Sequence, residues 1–311
     1  MSDLDWHRGM LADRRRVRAF ADAVQRAVRP GDVVVDIGTG SGLLALVAAR
    51  AGAAQVYAID EGPIIEAAQE TAVDNGLADR IVFLRGRSPE VEIEERADLV
   101  VGEILGSFGL DEDIRRVYAD ARARFLKQDG RLLPDQVDLV VAPSDEGEAL
   151  ANWPGDLARG LGLDFTSLAR RTQHVPTWLW ARADRLLAPG SVAMSLQMGD
   201  QRTDPAHGVV AEVARRCGQL CGWVGWFVAR WEGRVVYSTE PPIHGSSWQN
   251  AYYPIGDPVP VQIGDRVAGA FRFDDPFWSW ELEMQGGEPR RFGEFDAVPV
   301  EDLRPSERGT G

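Results

Sequence analysis

Val33-Val34-Val35-Asp36-Ile37-Gly38-Thr39-Gly40-Ser41-Gly42 decides the fold. Its first half is an apolar run broken by one acid, the pattern of a strand buried on both faces of a parallel sheet. Its second half places glycine at every other position. Glycines let backbone approach a ligand closely at the C-terminal edge of such a strand. Leu43–Ala51 then reads as a helix.

Upstream, residues 10–28 carry Met10, Leu11, Val17, Phe20, Ala21, Val24 and Val28 at helical spacing, with Arg on the other face and Pro30-Gly31-Asp32 as the stop. Downstream, Gln55–Ile59 is a second strand ending in Asp60. A helix over Ile64–Asn75 follows, capped by Gly76, then strands at Ile81–Leu84 and 99–101. Tyr118–Leu126 reads as helix, ended by Asp129-Gly130. Strands alternating with helices predict a doubly wound, Rossmann-like α/β domain over 1–133.

The character changes at Pro134. Val137–Val141, Val192–Met198, Trp223–Arg230, Arg234–Tyr237, Val259–Ile263 and Val267–Phe273 are short strands separated by Gly, Pro and Asp. They predict an antiparallel β-barrel domain over 134–311. A helical insertion, roughly Glu146 to Arg171, interrupts it, and Glu294–Gly311 is a polar tail.

Charged residues make up 26% and hydrophobic ones 44%, ordinary for a soluble globular chain. The absence of a long apolar run and of a basic-then-apolar leader predicts a cytoplasmic protein with no membrane span. The net charge of -14 argues against nucleic acid and anionic membrane, and for cationic partners. Cys217 and Cys221 have no companion Cys or His cluster, so no metal is expected and core packing in a reducing cytosol explains them. Lys127 is the only lysine. That arginine bias, with the Ala and Gly load, points to a GC-rich bacterial genome.

The glycine loop lacks the third glycine of a dinucleotide fingerprint, since Leu43 stands there. Its acid-x-Gly-x-Gly-x-Gly pattern, Asp36 with Gly38, Gly40 and Gly42, resembles the first motif of S-adenosylmethionine methyltransferases. Asp60 is placed to take ribose hydroxyls. A Rossmann-like fold holding another nucleotide is the alternative.

Glu103 and Glu112 flank a loop after the fourth strand, nine residues apart. Two carboxylates converging on one point suit a guanidinium, which is planar, always charged and donates in a fixed fork. They would concentrate positive charge on the nitrogens they face, leaving the third nitrogen to attack a methyl in line. One glutamate would take the proton. Acids at a strand end and in a loop are otherwise merely solvated, which fits Glu112, between Asp111 and Asp113, better than Glu103.

Over about residues 6 to 285 the chain resembles the protein arginine methyltransferase family. Glu103 and Glu112 match the family's double-glutamate loop. His7, Met10, Leu11, Asp13 and Arg16 match its N-terminal His-x-x-Met-Leu-x-Asp-x-x-Arg helix. Ser246-Ser247-Trp248 resembles its Thr-His-Trp barrel loop. The resemblance implies that Arg16 holds the cofactor's carboxylate, that His7 lies near the cofactor and that Met10 borders the transfer site. It implies that Trp248 walls the substrate pocket and that the insertion near 146–171 is a dimerisation arm, with Trp153, Leu157, Leu161 and Leu163 as apolar contacts of a homodimer. The family's loop histidine, the partner of the acid at Asp13, falls on Ser247. Its adenine-contacting acid falls on Pro89, leaving Ser88 or Glu90 to serve. The aromatic segment that closes over the cofactor is missing. His244 would replace the loop histidine only if the loop bends.

The chain also resembles the bacterial branch that supplies N-methylarginine to nitrosourea antibiotics of the streptozotocin type. The expectation is therefore an S-adenosylmethionine-dependent N-methyltransferase, with free L-arginine favoured over protein arginine. Methylation of some other small nucleophile would leave two buried carboxylates unpaired. A non-catalytic regulatory homologue, which the serine at 247 would suit, conflicts with the intact glutamates and glycine loop.

Overall fold

The structure, a computed structural model, describes residues 3–110, 112–147, 160–200, 205–243, 245–274 and 277–293. Two helices open it, α1 (Asp3–Ala12) and α2 (Arg14–Ala27). The sequence predicts one helix over 10–28. The chain breaks instead at Asp13, which leaves helical geometry (φ -73°, ψ 87°) and caps α2 by accepting the Arg16 N–H. α2 buries Phe20, Ala23, Val24 and Ala27, whereas the described side chains of α1 are exposed or half-exposed.

Next come β1 (Val33–Ile37), α3 (Leu43–Ala51), β2 (Gln55–Asp60), α4 (Ile64–Asp74), β3 (Ile81–Arg85), β4 (Ala97–Gly102), α5 (Ile114–Arg124) and β5 (Leu126–Leu133). The strands form a parallel sheet in the order β3-β2-β1-β4-β5. All of β1 is buried, as its apolar run predicts. Strand order reverses between β1 and β4, so the crevice of a doubly wound sheet opens at their C-terminal ends. Gly38 follows one end and Glu103 the other.

β5 corrects the sequence reading. Asp129-Gly130 does not end a helix; it lies inside an edge strand whose register with β4 shifts between Ala97 and Leu99. A sheet edge tolerates the polar middle of Leu126–Leu133. Tyr118 of α5 ties the two strand ends together. Its fully buried hydroxyl lies 3.0 Å from the Gly102 carbonyl and 2.8 Å from that of Leu133, which share its single proton.

The remaining strands are β6 (Gln136–Ser144), β7 (Thr177–Leu179), β8 (Ser191–Gln197), β9 (Ala206–Val213), β10 (Gly218–Trp231), β11 (Arg234–Ser238), β12 (Asn250–Val261), β13 (Arg266–Asp274), β14 (Phe277–Met284) and β15 (Arg290–Gly293). They form two sheets, β7-β12-β10-β6-β8 with β11 on β10, and β15-β14-β13-β9. Their pairings are antiparallel, as expected, but the ladders do not close into one ring among the described residues. Contacts gather the chain into two compact units. One comprises Met1–Leu139, Ser195–Thr203 and Trp226–Gln249; the other comprises Val140–Met194, Asp204–Gly225 and Asn250–Gly311.

Much of the expected arm lies outside the described residues, Trp153 and Leu157 included, as do His244 and the tail from 294. Within it a helix, α6 (Thr166–Thr172), is described, and Leu161 and Leu163 are exposed. No helix among the described residues is long and apolar enough to cross a membrane.

Tyr118→Phe leaves two buried carbonyls short of a donor. It is expected to lower unfolding stability by about 1–3 kcal/mol, read by urea denaturation.

Candidate functional site

The candidate site lies wholly within the first unit. It starts from the glycine loop, whose backbone is left-handed at Gly38 (φ 68°), Gly40 (φ 52°) and Gly42 (φ 80°). Space also demands glycine at the first two. A Cβ on Gly38 would sit 2.6 Å from Ile104 Cγ2, and one on Gly40 would sit 2.8 Å from His7 Cε1. The loop's turn is fixed by Asp36, fully buried, whose Oδ2 accepts from Thr39 Oγ1 at 2.6 Å and from Ala45 N at 3.0 Å. Burial pushes the Asp36 carboxyl up to about 7, against the two hydrogen bonds. Asp60 ties the loop to the end of β2, accepting Gly40 N–H on Oδ2 (2.7 Å) and Gly62 N–H on Oδ1 (2.8 Å).

Above the loop opens a cavity of about 330 Å³. α1 lines it with Trp6, His7, Met10 and Leu11, and α2 with Arg16, Val17 and Phe20. The sheet side contributes Gly38, Thr39, Gly40, Ser41 and Asp60, and the loop after β4 contributes Glu103, Ile104 and Glu112. Both predicted carboxylates therefore face one cavity. Their loop is anchored by buried Leu105, Phe108 and Leu110. It turns at Gly109 (φ 78°), where a Cβ would press on Leu139 Cδ2 at 2.9 Å.

Glu103 is mostly buried and paired with Arg16, through its Oε2 and the Nη2 of the guanidinium. Arg16 stacks over the Trp248 ring at 4.3 Å and donates from Nη1 to Ser247 Oγ at 3.2 Å. Burial pushes Arg16 down to about 10, with Asp13 and Glu112 opposing, so it stays charged at neutral pH. Asp13 is buried beneath it. Its Oδ2 accepts from Ser246 Oγ (3.0 Å), Ser247 N (2.9 Å) and Ser247 Oγ (3.3 Å). Burial raises the Asp13 carboxyl, but these bonds and the Arg16 N–H outweigh it and hold the group below its ordinary value.

The structure thus brings His7, Met10, Arg16, Gly38, Gly40, Asp60, Glu103 and Glu112 to one cavity. Asp36, Gly42, Asp13, Ser247 and Trp248 stand behind the wall and shape it. Trp248, expected to wall a substrate pocket, is buried under Arg16 and packed on Phe20, Phe227 and Tyr237. Sequence reasoning missed Trp6, Thr39, Ser41 and Ser246. The signal for Thr39 and Ser41 was their place between glycines, where side chains project from a turning backbone.

These residues fit a nucleoside cofactor with a carboxylate end. The glycine cradle is space that a Cβ would fill, Asp60 ends β2, and Arg16 offers a guanidinium. Ser88, outside the lining of the cavity, has a buried hydroxyl with no hydrogen-bond partner among the described residues.

A family model described as "Ribosomal protein L11 methyltransferase (PrmA)" matches residues 20–133. The chain is 28% identical over 268 residues to "Arginine N(omega)-methyltransferase" of Streptomyces achromogenes subsp. streptozoticus, covering 85% of this chain and 74% of that protein. It is 28% identical over 323 residues to "Protein arginine N-methyltransferase PRMT10" of Oryza sativa subsp. japonica, covering 89% and 85%. Its fold matches the structure titled "Trypanosoma brucei PRMT1 enzyme-prozyme heterotetrameric complex with AdoHcy". The TM-score is 0.84 at 21% identity, over 92% of this chain and 97% of that one.

Gly40→Ala places a side chain on His7 at a left-handed φ. It is expected to weaken S-adenosylhomocysteine binding tenfold or more by calorimetry, with the fold retained by circular dichroism. For Asp36, a folded-state value above the unfolded 3.8 means the folded state holds the proton longer. Its contribution to stability is full below pH 4 and lost as pH rises through about 7, on the order of 4 kcal/mol in all. Asp36→Asn should flatten that part of the melting temperature's pH dependence.

Proposed function

We propose that this chain, which belongs to the protein arginine methyltransferase family, methylates the guanidinium of free L-arginine to N-omega-methyl-L-arginine. The observation that carries this reading is the pair Glu103 and Glu112 on one cavity, with a guanidinium, that of Arg16, already seated on Glu103. In this proposal 1–133 is the cofactor domain and 134–311 the substrate domain.

S-adenosylmethionine, when bound, supplies an electrophilic methyl on a positive sulfur. The glycine loop would cradle it, with Asp60 at its ribose hydroxyls and Arg16 at its carboxylate, and Ser88 toward its base. His7 and Met10, which line the cavity from α1, would cover it. Glu103 and Glu112 clamp the substrate guanidinium and draw its positive charge toward the nitrogens they face. The remaining nitrogen is left to take the methyl, the chemistry that the cofactor would supply. One glutamate accepts the proton that the methylated nitrogen sheds. The carboxylates also offset the repulsion between two cations in a site of low dielectric.

Free arginine is supported by the likeness to the Streptomyces enzyme, an arginine rather than a protein arginine methyltransferase by name. The second reading, protein arginine, is favoured by the equally identical rice relative. A cytoplasmic homodimer serving natural-product biosynthesis completes the proposal.

Mass spectrometry after incubation with S-adenosylmethionine and either free L-arginine or an arginine-rich peptide should show methyl gain on the free amino acid. Gain on the peptide only would move the chain to protein modification, and gain on neither would end the guanidinium reading. Glu103→Gln should cut turnover about 100-fold or more, well beyond the change in S-adenosylhomocysteine affinity that losing the ion-pair partner of Arg16 brings.

A further inference from the structure

The loop Ser246-Ser247-Trp248 presents two neighbouring hydroxyls with different partners. Ser246 Oγ donates to Asp13 Oδ2 at 3.0 Å, accepts the Trp248 N–H at 3.1 Å and lies 3.4 Å from the Tyr237 hydroxyl. Those contacts fasten the loop to the cap of α2. Ser247 Oγ instead stands between opposite charges. It accepts from Arg16 Nη1 at 3.2 Å and donates to Asp13 Oδ2 at 3.3 Å.

A hydroxyl suits that place because one atom both donates and accepts. An imidazolium only donates, and it would set a second cation beside Arg16. The serine passes the attraction of Asp13 to Arg16 without adding charge. Arg16 is then fixed on three sides: Ser247 at Nη1, Glu103 at Nη2 and the Trp248 ring across its plane.

We propose that Ser247 is a positioning residue that acts through Arg16, setting where the guanidinium stands and hence how firmly the site grips the carboxylate end of the cofactor. The inference rests on the cofactor reading above. It assigns Ser247 a part in cofactor binding, whereas Ser246 holds only the loop.

The test is calorimetry with two ligands, S-adenosylhomocysteine and 5′-methylthioadenosine, which shares the nucleoside but lacks the amino-acid end. Ser247→Ala should weaken S-adenosylhomocysteine about tenfold and leave methylthioadenosine within about twofold. Ser247→Thr, which keeps the hydroxyl, should restore the difference. Ser246→Ala should lower the melting temperature without changing the ratio of the two affinities. Equal weakening of both ligands by Ser247→Ala, weakening of neither, or the same selective loss in Ser246→Ala overturns the proposal. A wild type that binds S-adenosylhomocysteine but methylates no arginine ends the proposed function and leaves this comparison intact. A wild type that does not bind it overturns both.

Discussion

The ion pair between Arg16 and Glu103 is the interaction on which the candidate site depends. Both side chains are mostly withdrawn from water. Removing charge from water costs several kcal/mol per ion, and such a pair holds only where further partners share the load. Here they do. Trp248 lies under the guanidinium plane, Ser247 takes one nitrogen, and Asp13 and Glu112 add attraction from a distance. The rest of the unit delivers these groups. Asp13 ends α1 and starts α2 one turn before Arg16. β4 ends at Gly102, so Glu103 emerges where the strand order reverses. The chain thereby solves within itself the recognition problem that an arginine substrate poses, a flat cation held on a carboxylate.

What was legible in the sequence followed the strength of the local signal. β1 and β4 were plain because a strand covered on both faces must be apolar throughout. The glycine loop was plain because left-handed backbone at alternate positions leaves few residue types to choose from. β5 was hidden because Lys127, Gln128 and Asp129 sit in its middle, which only an edge strand permits. The break at Asp13 was hidden because the apolar spacing of Met10, Leu11 and Val17 runs across it. Glu103 and Glu112 could be paired by spacing and resemblance. The bond from Ser246 to Asp13 could not be read this way, since it depends on a fold that sets the serine beside a residue 233 positions away.

Trp248 was expected at the substrate; its ring is packed by Phe20, Phe227 and Tyr237 and presents a face to Arg16. An aromatic motif read from sequence carries its chemistry, not the layer in which it lies.

The glycine loop divides its labour with a period of two. Gly38, Gly40 and Gly42 set the path of the backbone, and a side chain there meets an unfavourable left-handed φ whatever its chemistry. Thr39 and Ser41, in between, line the cavity, and Thr39 also holds Asp36. Shape and recognition are thus written in alternating letters of one short segment.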